Sequence, residues 1–302
     1  VKRGKRILTV VVTLLMGLTI SSCGKNHSPD NQSTRLLLRC DDIGMNHSVN
    51  MAAQKVIDAG VPFSASLMTT TPWFEEAVGI VKDQKNVSLG IHLTLNSEWQ
   101  GYRWGPIIGE DASSLVDEHG YFFPTTQQFL DHNPKKGEIE KELRAQIERA
   151  LSYGLKIDYL DYHMGTAVSR PEYRKIVEKL AKDYDLGISQ YFGEDASYSI
   201  YSAAPEVKTD SLVAKLGELN PGNIYLMVFH IGMDTPEMEA LKDFNPNGLP
   251  NVAKHRAAER AAITSRDFRR AVSQNNIQLW TYKHLINDVG LDQMKYPGNF
   301  GY

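Results

Sequence analysis

The 302-residue chain has little cysteine: only Cys23 and Cys40, too few for a disulfide framework, and no CxxC or Cys/His cluster of the structural zinc type. It has no excess of positive charge either, with 33 Lys+Arg against 36 Asp+Glu and a formal net charge of −3. No basic stripe crosses the sequence after its first few residues, so long-range attraction for nucleic acid is missing and no nucleic-acid partner is expected. Internal repeats and low-complexity tracts are absent, and no GxGxxG follows the first apolar run, which removes the fingerprint of an open dinucleotide-binding sheet. What is present, 42% apolar and 23% charged residues, describes a globular protein rather than a disordered, collagen-like or coiled-coil one.

The N-terminus reads as an address. Lys2, Arg3, Lys5 and Arg6 form a basic head, residues 7–20 are apolar apart from Thr9, Thr13, Gly17 and Thr19, and the run ends Ile20-Ser21-Ser22-Cys23. This is the pattern of a secretory signal, and it is short for a membrane span of about 20 residues. Ile-Ser-Ser-Cys resembles the bacterial lipobox, whose cysteine is acylated and becomes the new N-terminus; a plain N-terminal anchor helix is the alternative. The expected division is a signal peptide over 1–22, an acylated Cys23 with a polar tether over 23–33, and one domain over 34–302. Such a chain is an exported lipoprotein held to a membrane through Cys23, on the periplasmic face or at the outer membrane or cell surface; Gly24, which is not the Asp of inner-membrane retention signals, favours the outer membrane. Removal of the four basic residues takes the net charge from −3 to −7.

Beyond the tether, short apolar runs alternate with helical patterns. Strands are expected over 35–40, 63–68, 87–95, 157–162, 186–190, 224–230 and 277–282, with helices over 48–59, 73–82, 136–153, 172–184 (Pro171 being the first helical residue) and 253–274. A β-then-α rhythm of this kind implies a parallel sheet closed, or nearly closed, into a single-domain α/β barrel. Two long segments interrupt it, 96–133 and 195–207, and loops of that length are usually functional.

Polar residues gather at the C-terminal ends of the expected strands, where barrel active sites are built. The first strand ends Cys40-Asp41-Asp42-Ile43-Gly44, the third Leu89-Gly90-Ile91-His92-Leu93-Thr94, the fourth Asp158-Tyr159-Leu160-Asp161-Tyr162-His163, and the sixth Val228-Phe229-His230. Each taken alone has a bland reading. Asp42 could cap a turn, His92 could be a core histidine, and Asp161 and His163, on one face of their strand, could bond each other. Four strands ending alike in Asp or His are poorly explained by independent accidents. Adjacent carboxylates behind an apolar run need a compensating cation, and Asp/His/His is a reasonable ligand set for a catalytic divalent ion.

The set resembles the YdjC-like carbohydrate deacetylases, which include diacetylchitooligosaccharide and hopanoid-associated deacetylases. The matching segments are Asp41-Asp42-Ile43-Gly44 with Asn50, Leu89 to Thr94, Leu160 to His163, Leu226 to His230, Arg256 with Glu259, and the last strand, in family order. The resemblance implies a distorted (β/α) barrel of glycoside hydrolase/deacetylase type, a divalent metal ion (magnesium or zinc) on Asp42, His92 and His163, Asp41 as general base and His230 as general acid. Asp161 would orient a ligand histidine, and the substrate would be an N-acetylated sugar. The sequence departs from the family at Tyr159, Met164, Gly165, Ile231 and residues 190–192, where an arginine is usual. Trp99, Tyr102 and Trp104, with Trp73, are candidate sugar platforms or loop packing. Two other readings stay open: an inactive surface carbohydrate-binding lipoprotein on the same barrel, and another metal-dependent hydrolase, for instance one acting on phosphoesters near Arg39 and Arg170.

Overall fold

The computed structural model describes residues 33–246 and 248–298, together with Val1. The rest of the expected signal segment, Cys23, and the tether except Ser33 lie outside the described residues. Among those described, no helix is long and apolar enough to cross a membrane.

Seven strands form one parallel sheet: β1 (Thr34–Ile43), β2 (Phe63–Leu67), β3 (Val87–Leu93), β4 (Tyr159–Tyr162), β5 (Gly187–Ile188), β6 (Ile224–Phe229) and β7 (Ile277–Trp280). Their order is β5-β4-β3-β2-β1-β6. The entry half of β1 pairs with β7, from Thr34 opposite Ile277 to Leu37 opposite Trp280, and from Arg39 onward it pairs with β2. The segment after β5 reaches the opposite edge of the sheet, where Asp195 bridges Tyr225 of β6, and the sheet curls into the expected distorted barrel.

The helices are α1 (His47–Asp58), α2 (Phe74–Val81), α3 (Thr126–Asp131), α4 (Lys136–Ser152), α5 (Pro171–Asp183), α6 (Lys208–Gly217), α7 (Pro236–Glu239), α8 (Val252–Thr264), α9 (Arg266–Gln274) and α10 (Tyr282–Val289). Strand alternation sorts the apolar residues into two bodies. Leu36, Leu38 and Cys40 join the large cluster between sheet and helices. Leu37 instead packs with Tyr159, Leu226, Tyr282 and Leu285 on the concave side.

The expected helix over 253–274 is two helices. Ser265 is extended (φ −68°, ψ 159°) and its side chain accepts from the Phe268 N–H, so it starts α9 as an N-cap. The last strand likewise stops at Trp280, because Thr281 and His284 form a capping box that opens α10. The expected 186–190 strand shrinks to Gly187–Ile188, and Gln190 just beyond it turns left-handed at φ 70°. Helix α6 follows directly on the 195–207 segment, a position at which the sequence pattern had suggested no element.

Tyr159, the departure in the H-x-D-x-H motif, is fully buried and its hydroxyl lies 2.8 Å from Ser66 Oγ. It stands two residues below Asp161 in the lumen and so packs the barrel beneath the strand ends. Its ring lies where a β-carbon on Gly90 would be, 2.3 Å from the nearest ring atom. Gly90→Ala should therefore cost about 1–3 kcal/mol, and more if the ring cannot shift. In denaturant titrations Gly90→Ala and Tyr159→Ala should be strongly non-additive, since the second substitution removes the clash created by the first.

Candidate metal and catalytic site

Ordinary strand alternation would send Asp41 and Asp42 to opposite faces of β1. The pairing with β2 slips between Cys40 and Ile43, Cys40 opposing Ala65 and Ile43 opposing Leu67, so one extra residue bulges. That residue is Asp42, left-handed at φ 63°, a conformation Asp tolerates better than most side chains. The bulge brings both carboxylates to the barrel mouth. Beyond it, Gly44 turns at φ 98° with little space for a β-carbon, and Asn50 Oδ1 accepts from its N–H at 2.8 Å, so the Gly and Asn of the motif are the brace of the turn.

Asp42 Oδ1 lies 3.4 Å from His92 Nε2 and 3.3 Å from His163 Nδ1, and the two ring nitrogens are 3.3 Å apart. This oxygen is buried and makes no hydrogen bond. The centre of such a triangle is about 1.9 Å from each corner, close to the roughly 2.0–2.2 Å reach of nitrogen and oxygen ligands, so Asp42, His92 and His163 could hold a divalent ion. Each outer ring nitrogen is held by a carboxylate: His92 Nδ1 by Asp161 Oδ1 at 3.0 Å, and His163 Nε2 by Glu98 Oε2 at 2.9 Å. These contacts fix ring orientation and leave the inner nitrogens facing the common point. Asp161 therefore orients His92, and the bland reading of an Asp161–His163 bond does not apply.

Burial alone would lower both histidines, but Asp161 and Asp41 raise His92 to about 10, and Glu98 and Asp42 raise His163 to about 9. Burial would raise Asp42, yet Arg256 and the two imidazoles hold it well below the usual carboxylate range. The surrounding carboxylates thus favour the protonated form of both rings, yet their inner nitrogens face each other at 3.3 Å with one shared acceptor. A cation on three lone pairs removes that conflict, so the residues present fit a divalent metal.

The compensating charge expected for the carboxylates comes largely from arginines. Arg39, buried two residues before Asp41 and on the same strand face, binds both Asp41 oxygens at 2.7 Å, Asp161 Oδ2 at 2.9 Å and Ser189 Oγ at 2.7 Å. It occupies the surroundings of Asp41 although the β5 end lacks the arginine usual in the family. Burial would raise the Asp41 carboxyl, but Arg39 first, then His92 and His230, lower it. With Arg39 committed to these carboxylates, and Arg170 lying against Tyr173, the phosphoester reading loses its support. Arg256 Nη2 binds Asp42 Oδ2 at 2.7 Å, leaving only Oδ1 open. His230 ends β6 near Asp41, its backbone N–H donated to Glu259 Oε2 at 2.6 Å.

The signal for Arg39 is a charge directly after the apolar run Leu36 to Leu38; Glu98, in a long loop without periodicity, gave no signal. The aromatic loop is mainly packing. Trp99 and Trp104 are buried, Trp104 Nε1 donates to Asn96 O, and the Tyr102 hydroxyl donates to Met45 O. Trp73, by contrast, is exposed.

The profile of the YdjC-like protein family matches residues 35–274. The chain belongs to the YdjC-like family. Among its relatives, a carbohydrate deacetylase of Thermus thermophilus is 30% identical over 81% of this chain and 92% of its own length. A carbohydrate deacetylase of Vibrio cholerae serotype O1 is 26% identical over 84% of this chain and 97% of its own. The crystal structure of a candidate cellobiose-phosphate cleavage protein from Enterococcus faecalis V583 shares the fold, with a TM-score of 0.71 and 22% identity, covering 84% of this chain and 99% of that one. The YdjC-like barrel is thus present over nearly its full length.

Three outcomes are expected. Because the two histidines are raised to about 9 and about 10, uptake of a divalent ion at pH 7 should release about two protons, and affinity should climb as pH rises toward those values. Calorimetry in buffers of different ionisation enthalpy reads the proton count. In the metal-free protein the same raised values mean that the histidine ion pairs stabilise the fold fully below about pH 6.5 and are lost as pH rises through 9–10. Arg39→Met, which strands two buried carboxylates, should lower stability by about 3–5 kcal/mol in denaturant titrations.

Proposed function

We propose that this protein is a metal-dependent carbohydrate deacetylase that hydrolyses the N-acetyl group of an amino sugar. The observation that carries the reading is the triangle of Asp42 Oδ1, His92 Nε2 and His163 Nδ1, closed to about 3.3 Å and backed by Asp161 and Glu98. Relatives named carbohydrate deacetylases, aligned over nearly their whole length, support the same reading.

Asp42, His92 and His163 would hold the divalent ion, whose chemistry is to polarise the acetyl carbonyl and to lower the pKa of a water molecule. Asp41 takes the proton of the attacking water. Both its oxygens are bound by Arg39, which fixes the carboxylate and keeps it ionised at neutral pH. His230, near Asp41, donates a proton to the departing amine. His230 Nδ1 is buried without a partner, so the ring's orientation is set by its neighbours, not by a hydrogen bond of that atom. A purely binding barrel would have no use for a buried carboxylate–guanidinium pair beside a histidine at the same mouth, which favours the enzyme over the inactive carbohydrate binder.

We further propose that the protein is exported and held on a membrane by an acylated Cys23, a reading supported by the basic, apolar and Ile-Ser-Ser-Cys segments in that order. Cys23→Ala should then shift the protein from the membrane to the soluble fraction of the producing cell.

Acetate release should be assayed with N-acetylated mono- and oligosaccharides after loading magnesium, zinc, manganese, cobalt or nickel. His92→Ala and Asp42→Asn should lose both ion retention and acetate release. Asp41→Asn should retain the ion while kcat falls by about 100-fold or more. Full activity in His92→Ala would sink the proposal.

A further inference from the structure

The Lys208 ammonium, at the start of α6, is wholly buried. Such a charge is tolerated only when its donors are matched. Its partners are the carbonyl oxygens of Ile200 and Tyr201, each at 2.8 Å, and Glu259 Oε1 at 2.9 Å. The other oxygen of Glu259 accepts the His230 N–H at 2.6 Å. One carboxylate therefore joins the 195–207 segment, through Lys208, to the end of β6. The two ends meet again at their side chains, where the Tyr201 and His230 rings pack edge to face with centroids 5.4 Å apart. Tyr201 nevertheless keeps 43% of its surface exposed. Glu259 lies one turn along α8 from Arg256, which holds Asp42, so a single helix fixes both sides of the mouth.

We infer that Lys208 is a positioning residue: by pinning the Tyr201 backbone to Glu259 it makes the Tyr201 and His230 rings one fixed wall, against which the departing sugar amine is held. Elsewhere in the segment Ile200 is buried in the core and the Tyr198 ring packs edge to face on Tyr225 with centroids 5.3 Å apart, but these are apolar contacts that leave the Tyr201 carbonyl to Lys208. Pro205–Val207 is a single turn of 3-10 helix, and before it the regular pairing with β6 is the bridge at Asp195. Without Lys208 those apolar contacts remain, but the ionic link from the Tyr201 carbonyl to Glu259 is lost. The inference rests on the deacetylase reading for what the wall contacts, but the locking itself does not.

Full-length chains carrying Lys208→Ala, the pair Lys208→Met with Glu259→Gln, or Tyr201→Ala are compared by three measurements: calorimetric affinity for manganese or zinc, amide hydrogen exchange, and steady-state acetate release. In Lys208→Ala, exchange should accelerate at residues 196–204 and at the His230 amide, and kcat should fall by about tenfold or more, with ion affinity within about threefold of the original. The paired variant removes the buried charges together and leaves a side-chain oxygen for the His230 N–H. It should loosen residues 196–204 while the His230 amide stays protected. Tyr201→Ala should raise KM more than it lowers kcat. Original exchange at residues 196–204 in Lys208→Ala, or in the paired variant should the single one fail to fold, overturns the inference. Loosened exchange with unchanged kcat and KM overturns it too, because Lys208 would then be structural only. Should the original protein release no acetate from any sugar, the deacetylase reading fails, while exchange still decides whether Lys208 locks the wall.

Discussion

A guanidinium buried in the barrel lumen underlies the site. Arg39 is fully enclosed, and its charge is answered by both oxygens of Asp41 and one of Asp161. Asp161 spends its remaining capacity on Ser66 and on His92. One permanent cation therefore settles the protonation of the carboxylate proposed as base and, through Asp161, the orientation of a histidine proposed as ligand. Buried ion pairs often contribute little net stability against an apolar replacement. Here the value of the pair lies in geometry: two adjacent acidic residues become chemically distinct, Asp41 fixed by one bond from Arg39 on each oxygen and Asp42 left with one open oxygen.

The division depends on a single extra residue in β1. The bulge at Asp42 turns a sequence neighbour into a spatial partner and points its two oxygens in different directions, Oδ2 to Arg256 and Oδ1 to the point shared by the histidines. Helix α8 then serves both halves of the mouth from residues three apart, Arg256 toward Asp42 and Glu259 toward His230. Arg39 has its donors matched, whereas Arg256 spends Nη2 on Asp42 and keeps Nε and Nη1 buried without partners; the open Oδ1 of Asp42 is placed where the histidine nitrogens converge.

Much of this was legible beforehand, for physical reasons. The seven strands show as short apolar runs because a parallel sheet is buried on both faces, and Asp41, Asp42, His92, His163 and His230 show because polar residues closing such runs are rare without a task. Local chemistry at element ends was harder to see. Ser265 breaks a continuous helical pattern by capping, and Thr281 ends the last strand two residues early; both are side-chain to backbone bonds that periodicity does not register. Glu98 escaped notice because its role depends on where an irregular loop folds. The tryptophans misled in the opposite direction: Trp99 and Trp104 carry the composition of a sugar platform but are buried, their size spent on holding that loop down. Tyr159, a departure from its family, packs below the site and is linked to it through Ser66, which donates to Asp161.

The first strand also has an unusual set of neighbours. Its entry half takes β7 as partner on the edge where its exit half takes β2, and β6 lines its other edge. The earliest residues of the domain thus find part of their backbone partners among the last to be made, Ile277 to Trp280. A growing chain can pair β2 with β3, β3 with β4 and the exit half of β1 with β2 as these emerge, but the other edge of β1 waits for β6 and its entry half for β7. The strand that bears the reactive mouth is thus completed by contacts of high sequence separation, the kind that closes slowly.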